Sequence, residues 1–235
     1  EDFTKLSHAI APERLSQLLN RYLDLLSETV LRHGGTIDKF VGDAVVAFWG
    51  APIARPDDAD RAVQAAIAMY EAGEEFRRAA APGLPPIGRT RVGLHSGEAV
   101  VGNFGGEGRI QYTALGDGMN TASRLEGANK ALHSTVLVSA EAKAASTLDL
   151  FRPLGRVVLV GRATPVEVWE PVPQMDPARR RRLTELWQRF ERGDTEALAE
   201  LETMAAETPE DAALADMVYR LRIAGPGGHF VLASK

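Results

Sequence analysis

The chain has 235 residues, 45% of them apolar, which suffices for one large packed domain or for one domain with an appendage. Its formal net charge of -5 gives an average field that repels polyanions, and no basic face is large enough to indicate nucleic-acid binding. The absence of cysteine excludes disulfides, thiolate metal sites and cysteine nucleophiles, and it agrees with a reducing, cytoplasmic compartment.

The predicted elements before residue 174 alternate between helices and short strands. Apolar positions repeat with a helical period after Pro12, and β-rich runs flank small turns farther along the chain. In chain order, the sequence predicts a helix from 12 to a stop at 34–35, strands over 36–41 and 44–49, a helix over 57–78, strands over 89–94, 98–103 and 110–115, a helix over 119–130, a strand over 136–139, a short helix over 140–146, and strands over 156–160 and 165–170. Ser139 is placed to cap the short helix.

The character of the sequence changes after Pro173, and we predict a domain boundary there, with residues 1–173 as one domain and 174–235 as a small all-α extension. Three helix starts follow, the first at Asp176-Pro177. The arrangement resembles a single helical-repeat unit with no second copy, and one such unit cannot bury its own apolar face, so we expect the extension to dock on another surface. The basic run 179–182 is interpreted as a solvated helix face or as a membrane-surface contact.

Asp43 lies at the predicted tip of the first hairpin, after Gly42 and before an apolar strand. A carboxylate held rigidly at the end of a sheet is a suitable metal ligand. Two alternatives stay open at this point: an aspartate chosen for its turn geometry, and an ion pair with Lys39 four residues earlier.

A second group of polar residues lies around the predicted helix over 119–130. Asn120 and Arg124 are four residues apart, so an amide and a guanidinium lie on one face of that helix and can reach the same anion. An ordinary surface pair is the alternative. Thr113 precedes Asn120 by seven residues on the incoming strand, and His95, with no second histidine at ligand spacing, is interpreted as structural.

Together these stretches resemble the catalytic domain of the class III nucleotidyl cyclases, the adenylate and guanylate cyclases. The resemblance lies in five ordered segments: FTKLS, GGTIDKFVGDAVVAFWGAP, VGLHSGEAVVGNFG, YTALGDGMNTASRLEGAN and RPLGRVVLVGRATPVEVWEP. It implies an α+β fold with a ferredoxin-like βαββαβ core and extra strands, acting as a homodimer with its sites at the interface. It also implies conversion of ATP to cyclic AMP, with two divalent cations, Mg²⁺ or Mn²⁺, as cofactors.

The resemblance assigns a role to each matching position. Asp43 resembles one of two metal-binding aspartates, Asn120 and Arg124 match the catalytic pair that orients the ribose and stabilises the transition state, and the substrate-binding positions are Lys39 and Thr113 at the base and Phe3, Thr4 and Arg162 at the phosphates. Arg162 could as readily be a solvent-facing loop residue. The hairpin would offer its aspartate to one active site and its lysine to the symmetry-related one.

Lys39 and Thr113 favour ATP, because a lysine can donate to adenine N1 and a threonine can accept from the 6-amino group, whereas guanine presents the opposite pattern. Threonine at this position resembles a bacterial and soluble subgroup with members that respond to bicarbonate, so such regulation is a hypothesis here. The alternative function is a pseudo-cyclase, a nucleotide-sensing or dimerisation module that binds nucleotide without turnover.

The start of the sequence departs from the family pattern. Alignment on Phe3 and Thr4 places the first metal aspartate two positions before Glu1, so we expect the first strand to be truncated here. The sequence contains neither a secretion leader nor an apolar segment of about 18 residues. We expect a longer parent chain with an upstream sensor domain, and the cytoplasmic enzyme could be tethered to a membrane through that region.

Overall fold

A computed structural model describes Leu6 and residues 10–79, 87–106 and 108–232. The described chain divides into two compact units. The first contains the residues up to Val92 together with Gly97–Asn120, and the second contains Gly93–Ser96 together with the residues from Thr121 onwards. No helix within the described ranges has the length and apolar character needed to cross a lipid bilayer.

The described residues form helices and strands that we number in chain order. They are α1 (Pro12–Arg32), β1 (Thr36–Val41), β2 (Ala44–Phe48), α2 (Asp58–Arg78), β3 (Val92–Leu94), β4 (Val100–Gly106), β5 (Arg109–Leu115), α3 (Asp117–Ala128), β6 (Val136–Ser139), α4 (Ala140–Ala145), β7 (Phe151–Val158), β8 (Val166–Pro171), α5 (Pro177–Glu191), α6 (Glu196–Ala206), α7 (Ala212–Ala224) and β9 (Phe230–Val231). The order from α1 to β3 matches the αββαβ part of a βαββαβ core.

The first unit contains two antiparallel hairpins and two long helices. Strand β1 pairs with β2, and β4 pairs with β5 in an unbroken register from Val100↔Leu115 to Gly106↔Arg109. Proline at the first turn starts α1, and Gly34, with a φ of 70°, follows its end. The helix buries Leu26 and Val30 against α2 and the first hairpin. The predicted elements of this unit are confirmed, with ends that differ by a few residues.

The second unit is built on a five-stranded sheet in the order β3-β6-β8-β7-β9. Strands β6, β8 and β7 are antiparallel neighbours, and β9 joins the edge parallel to β7. Leu125 of α3 and Leu154 of β7 are fully buried in its apolar core, which also contains Ala213 and Leu232 from the C-terminal extension. The residues after 173 therefore contribute both a strand and core side chains to this sheet.

The C-terminal helices dock on the β7 and β8 side of the second unit. The Trp187 ring of α5 packs edge-on against Trp169 of β8, with ring centroids 5.3 Å apart. Arg152 of β7 is 6% exposed and forms ion pairs with Glu170 of β8 and with Asp211, which caps α7. The structure thus shows the surface on which the extension docks, while the domain boundary at 173 stays a prediction.

The interpretation of the basic run 179–182 as a solvated face is wrong for Arg180. Arg180 is 4% exposed, and its guanidinium donates to the backbone carbonyls of Met175 and Asp149. Arg179 donates to the carbonyl of Met204 at 3.0 Å. A buried arginine needs such acceptors, so Arg180, together with the half-buried Arg179, joins α5 to its neighbours inside the unit.

Candidate active site

The first hairpin presents Asp43 in a two-residue turn. Gly42 adopts a φ of 61°, a left-handed conformation that glycine tolerates without steric cost, and β1 and β2 pair on either side from Val41↔Ala44 onwards. Asp43 is half-buried in this turn. The backbone therefore fixes the place of the carboxylate, as the sequence predicted.

Lys39 lies beside Thr113, which is 74 positions later in the chain. Its Nζ donates to Thr113 Oγ1 at 3.3 Å, and Thr113 is 5% exposed on β5. The same Nζ lies 3.6 Å from Oδ1 of Asp38. The structure thus pairs Lys39 with its sequence neighbour Asp38, which argues against the alternative that Lys39 serves as the ion-pair partner of Asp43.

Two residues of this cluster were missed by the sequence analysis. Asp38 has a fully buried side chain, and Gln111 Nε2 donates to the Asp38 carbonyl at 3.2 Å and approaches its Oδ1 at 3.4 Å. Gln111 and Thr113 are two positions apart on β5, so they share a face of the strand. That spacing was a signal for Gln111, but nothing in the local sequence showed that Asp38 would be buried.

Helix α3 contains both members of the predicted catalytic pair. Asn120 is exposed in the first turn, and Arg124 follows one turn later, half-buried. The Arg124 guanidinium lies 3.6 Å from the position that a Cβ on Gly161 would occupy, and Gly161 has a φ of 76°. The loop after β7 thus passes close to Arg124 with a residue that has no side chain and tolerates a left-handed backbone.

Arg162 is attached to the same helix. Its Nη1 donates to Oγ1 of Thr121, which is 1% exposed, and its backbone N–H donates to the Leu159 carbonyl at 2.9 Å. Arg162 is half-buried, and its side chain is hydrogen-bonded to α3, while its role at the phosphates stays a prediction. Within the second unit, the loop 159–162 brings Arg162 to α3 and passes beside Arg124. Two guanidinium groups near one helix can attract an anion such as a phosphate.

The donor chemistry for a divalent cation is present in part. Asp43 supplies a hard carboxylate oxygen of the kind that Mg²⁺ and Mn²⁺ bind, and Mg²⁺ commonly takes one or two carboxylates together with substrate phosphates. Across the described ranges, no three aspartate, glutamate or histidine side chains gather as a complete metal site would. Phe3 and Thr4, which the sequence analysis placed at the phosphates, lie outside the described residues.

His95 is engaged in a structural contact, as its interpretation suggested. Its Nδ1 lies 2.9 Å from Oγ of Ser139, the residue that caps α4, and 3.7 Å from a carboxylate oxygen of Glu141. These contacts join β3 to the start of α4 in the second unit. They give the imidazole polar partners without requiring a catalytic role.

Comparisons with known proteins identify the family to which this geometry corresponds. Residues 1–169 match the family described as the adenylate and guanylate cyclase catalytic domain. Adenylate cyclase 1 of Rhizobium meliloti is 47% identical over 174 residues, which cover 73% of this chain and 26% of that protein. Adenylate cyclase of Anabaena cylindrica is 34% identical over 142 residues, covering 58% of this chain and 27% of that protein. The chain thus spans about a quarter of the length of these relatives.

Solved structures agree in fold. The adenylyl cyclase CyaB from P. aeruginosa is 34% identical with a TM-score of 0.63, covering 75% of this chain and 91% of that one. The guanylyl cyclase Cya2 is 31% identical with a TM-score of 0.62, covering 73% and 86%. The α+β fold with the ferredoxin-like core that the resemblance implied is confirmed by this likeness. Since proteins named for both nucleotides match, the comparisons leave the choice of base open.

Proposed function

Because the chain belongs to the adenylate and guanylate cyclase catalytic domain family, we propose that it converts ATP to 3′,5′-cyclic AMP and pyrophosphate. The relative at 47% identity, which is named an adenylate cyclase, supports this proposal. The observation that carries it is the contact of 3.3 Å between Lys39 and Thr113, the two residues whose chemistry suits adenine.

Base selection follows from the donors and acceptors of this pair. An ammonium group has three donors and no acceptor, so Lys39 can donate to the unprotonated N1 of adenine and finds no partner in the N1–H of guanine. The Thr113 hydroxyl has two acceptor lone pairs, so it can accept from Lys39 and from the 6-amino group of adenine. A cluster of this kind rejects the wrong base by leaving a buried polar group unpaired.

The reaction is an intramolecular displacement at phosphorus. The 3′-oxygen forms a bond to the α-phosphorus, the bond from that phosphorus to the bridging oxygen breaks, pyrophosphate leaves, and the 3′-hydroxyl loses its proton. In this proposal, the Asn120 amide orients the ribose and the Arg124 guanidinium neutralises charge that develops on the α-phosphate. Loss of such a charge-stabilising contact costs on the order of 3 kcal/mol of barrier, roughly a hundredfold in rate.

Arg162 is assigned to the phosphates in this proposal. Its hydrogen bond to the buried Thr121 hydroxyl orients the guanidinium, and a guanidinium presents five N–H donors in a planar fork that suits phosphate oxygens. A guanidinium that is held in place loses less conformational entropy when it binds a phosphate. The contact to Thr121 therefore supports a substrate-binding role rather than only a structural one.

Asp43 would hold the divalent cations, together with a second carboxylate that the resemblance places upstream of Glu1. Bound Mg²⁺ or Mn²⁺ supplies charge neutralisation at the phosphates and makes the 3′-hydroxyl more acidic. The part that this chain contributes is the rigid turn, in which Gly42 and the β1–β2 pairing fix the carboxylate at the end of the hairpin. The half-buried position leaves the carboxylate accessible to a cation.

A homodimer belongs to the proposal, because the first unit exposes apolar side chains on both of its hairpins. Phe40 and Val41 of β1 are 52% and 59% exposed, and Val100 and Ile110 of the β4–β5 hairpin are 66% and 70% exposed. Exposed apolar residues concentrated on two hairpins of one unit favour a protein partner. A second copy of the chain is the partner that a cyclase with shared sites requires.

Regulation and location are further parts of the proposal. An upstream sensor domain, a response to bicarbonate and a cytoplasmic location with a membrane tether all concern chain or ligands beyond the described residues. The response to bicarbonate is tested by measuring cyclic AMP production by the parent chain with and without added bicarbonate at fixed pH. A rate that does not change removes this element while leaving the catalytic proposal intact.

The catalytic proposal is tested on the parent chain that includes the residues before Glu1. With Mg²⁺ or Mn²⁺, we expect conversion of ATP to cyclic AMP at a rate well above that for GTP, and a Lys39→Glu, Thr113→Cys double variant should shift preference towards GTP. Arg192→Glu, which reverses an exposed charge in the extension, serves as the control and should keep the preference for ATP.

Two results would contradict the proposal. Binding of ATP without any turnover, even with both metals and the complete first strand, indicates the pseudo-cyclase. A double variant that loses all activity without a change in base preference leaves the assignment of Lys39 and Thr113 unsupported.

A further inference from the structure

Strand β1 contains an irregularity at Asp38. Ile37 is opposite Ala47 and Lys39 is opposite Val46, so Asp38 is an extra residue in the pairing with β2. Side chains of neighbouring residues in a regular strand point to opposite faces, whereas a bulge re-aims a side chain. This bulge lets two consecutive residues, Asp38 and Lys39, both reach side chains of β5.

The Asp38 carboxylate is buried at an energetic cost. Its side chain is fully buried, and its Oδ2 has no hydrogen-bond partner among the described residues. An isolated buried carboxylate is strongly unfavourable unless a cation or donors compensate it. The nearby groups that do so are Lys39 Nζ at 3.6 Å from Oδ1 and Gln111 Nε2 at 3.4 Å. A buried charged group of this kind lowers the stability of the fold, and the hairpin itself does not require it.

The geometry around the ammonium group explains what the carboxylate does. Lys39 is 40% exposed in its side chain, so it is anchored near its tip while remaining open to a ligand. Asp38 Oδ1 and Thr113 Oγ1 both lie close to Nζ, at 3.6 Å and 3.3 Å. An ammonium has three donors, so one remains for a ligand atom. Without the carboxylate, a flexible four-carbon side chain would lose part of this orientation.

We propose that Asp38 is a positioning residue that holds Lys39 for recognition of the base and thereby sets the preference for adenine over guanine. The inference rests on the proposed function, because Lys39 is the base-recognising residue of that proposal. Asp38 acts through Lys39 and touches no reacting atom. Its contribution should appear in nucleotide affinity and in the ratio between ATP and GTP, and much less in the rate of the chemical step.

The test compares Asp38→Asn and Asp38→Ala in the parent chain. The asparagine keeps the size of the side chain and an oxygen that can accept from Gln111, but it removes the charge that faces Lys39. For both variants we expect the KM for ATP to rise roughly tenfold, because the Lys39 ammonium loses the charged partner at 3.6 Å that orients it, with kcat changed less than about threefold. The ratio of kcat/KM for ATP to that for GTP should fall by a similar factor of about ten.

A matched control separates positioning from loss of stability. Thr29 is fully buried in α1 of the same unit and donates to the Leu25 carbonyl. Thr29→Val therefore removes a buried polar group that contacts neither Lys39 nor Thr113. This control should lower the thermal midpoint without changing the ATP to GTP ratio. If the Asp38 variants change stability alone and keep the wild-type ratio within twofold, Asp38 is only structural and the inference is wrong.

Calorimetric titration with non-hydrolysable ATP and GTP analogues distinguishes this inference from the proposed function. A wild-type chain that binds the ATP analogue without turnover contradicts cyclase activity, yet the effect of Asp38→Asn is still measured in the two dissociation constants. A preference for the ATP analogue that Asp38→Asn weakens about tenfold supports the inference. An unchanged preference, or no binding of either analogue to the wild type, overturns it.

Discussion

Replacement of Arg152 with methionine should destabilise the second unit strongly. Arg152 donates from Nε and Nη2 to Oε2 of Glu170 at 2.9 and 2.6 Å, and from Nη1 to the carboxylate of Asp211. Arg152 and Glu170 are 6% and 7% exposed, so water cannot replace the lost cation without opening the packing. Methionine fills much of the volume of the arginine stem, and the variant therefore tests mainly the charge.

The expected cost follows from the buried partner that is left behind. Removal of one member of a buried ion pair typically costs about 3–5 kcal/mol, because the remaining charge is uncompensated. For a chain of this size, each kcal/mol lowers the thermal midpoint by about 2–4 °C, so we expect a decrease of about 6–20 °C. Asp211 also loses a partner, but it still accepts the hydrogen bond from the backbone N–H of Leu214 by which it caps α7.

The cost should grow with pH. Burial raises the pKa of Glu170 above its usual value of 4.5, and the attraction of Arg152 opposes that rise. A carboxyl whose pKa is higher in the folded state contributes stability below its unfolded pKa and loses that contribution as the pH rises through the folded value. Without Arg152, its attraction no longer counteracts the rise that burial causes in the pKa of Glu170. The free energy of unfolding of the variant should therefore be closest to that of the wild type near pH 4.5, and the difference should grow as the pH increases.

Urea unfolding followed by tryptophan fluorescence at pH 5 and pH 8 measures this difference, since Trp187 of the docked helix α5 packs against Trp169 of the sheet. The control is Arg222→Met, which breaks an ion pair with Glu202 on the surface of the extension, where Arg222 is 62% exposed. The reasoning would be refuted if Arg152→Met lowered the free energy of unfolding no more than the control does. A loss of the same size at both pH values would refute it as well. Addition of Glu170→Gln to Arg152→Met should restore most of the stability at pH 8.

Three further predictions concern the catalytic proposal and the extension. Asp43→Asn should reduce cyclic AMP production by about a hundredfold in a Mn²⁺ titration of the parent chain, and a smaller loss than tenfold would argue against a metal ligand. Arg162→Ala should raise the KM for ATP about tenfold in steady-state kinetics. Thr121→Val should raise the KM less, because it removes only the hydrogen bond that orients the guanidinium, and equal effects of the two variants would contradict this prediction. Deletion of the chain after Pro173 should lower the thermal midpoint and increase aggregation in light scattering, because it exposes the β8 surface that Trp187 covers; an equally soluble and stable fragment would show that the extension is dispensable.

The sequence predicted those elements that local signals define. Pro12 and the glycines at 34 and 35 bound α1, the Gly42-Asp43 turn joins β1 to β2, and Ser139 caps α4 by accepting from the Ala142 N–H. In each case the decisive interaction lies within a few residues of the signal. The spacing of the residues in α3 likewise predicted that Asn120 and Arg124 would share a helix.

Strand β7 shows why some boundaries were wrong. The sequence predicted a strand over 156–160, whereas the structure has β7 at Phe151–Val158. Proline and glycine at positions 153 and 155 weaken regular pairing, so the local sequence favours a strand that begins after them. The pairing of β7 with β8 shifts register between Pro153 and Arg156, so an irregularity accommodates both residues inside the strand.

Long-range polar contacts were beyond the reach of the sequence. Arg152 and Asp211 are 59 positions apart, and Asp38 and Gln111 are 73 apart. A single sequence gives the type of each residue but not its partner, so a buried charge looks the same as a solvated one. The resemblance assigned Lys39 and Thr113 to base recognition, which stays a prediction, but it gave no indication that a buried carboxylate lies beside Lys39.

The C-terminal extension also bears on the loop that carries the proposed phosphate contact. Strand β9 pairs with the end of β7 at Val157 and Val158, and the Leu232 N–H donates to the Val158 carbonyl at 3.1 Å. The loop with Arg162 begins directly after this point, and its turn is closed by the hydrogen bond to the Leu159 carbonyl. The family likeness ends at residue 169, yet the backbone that leads to Arg162 is held by residues more than sixty positions beyond it. The pairing of β9 with β7 therefore helps to place Arg162 beside α3. A domain cut at residue 169, where the family likeness ends, would lack this pairing.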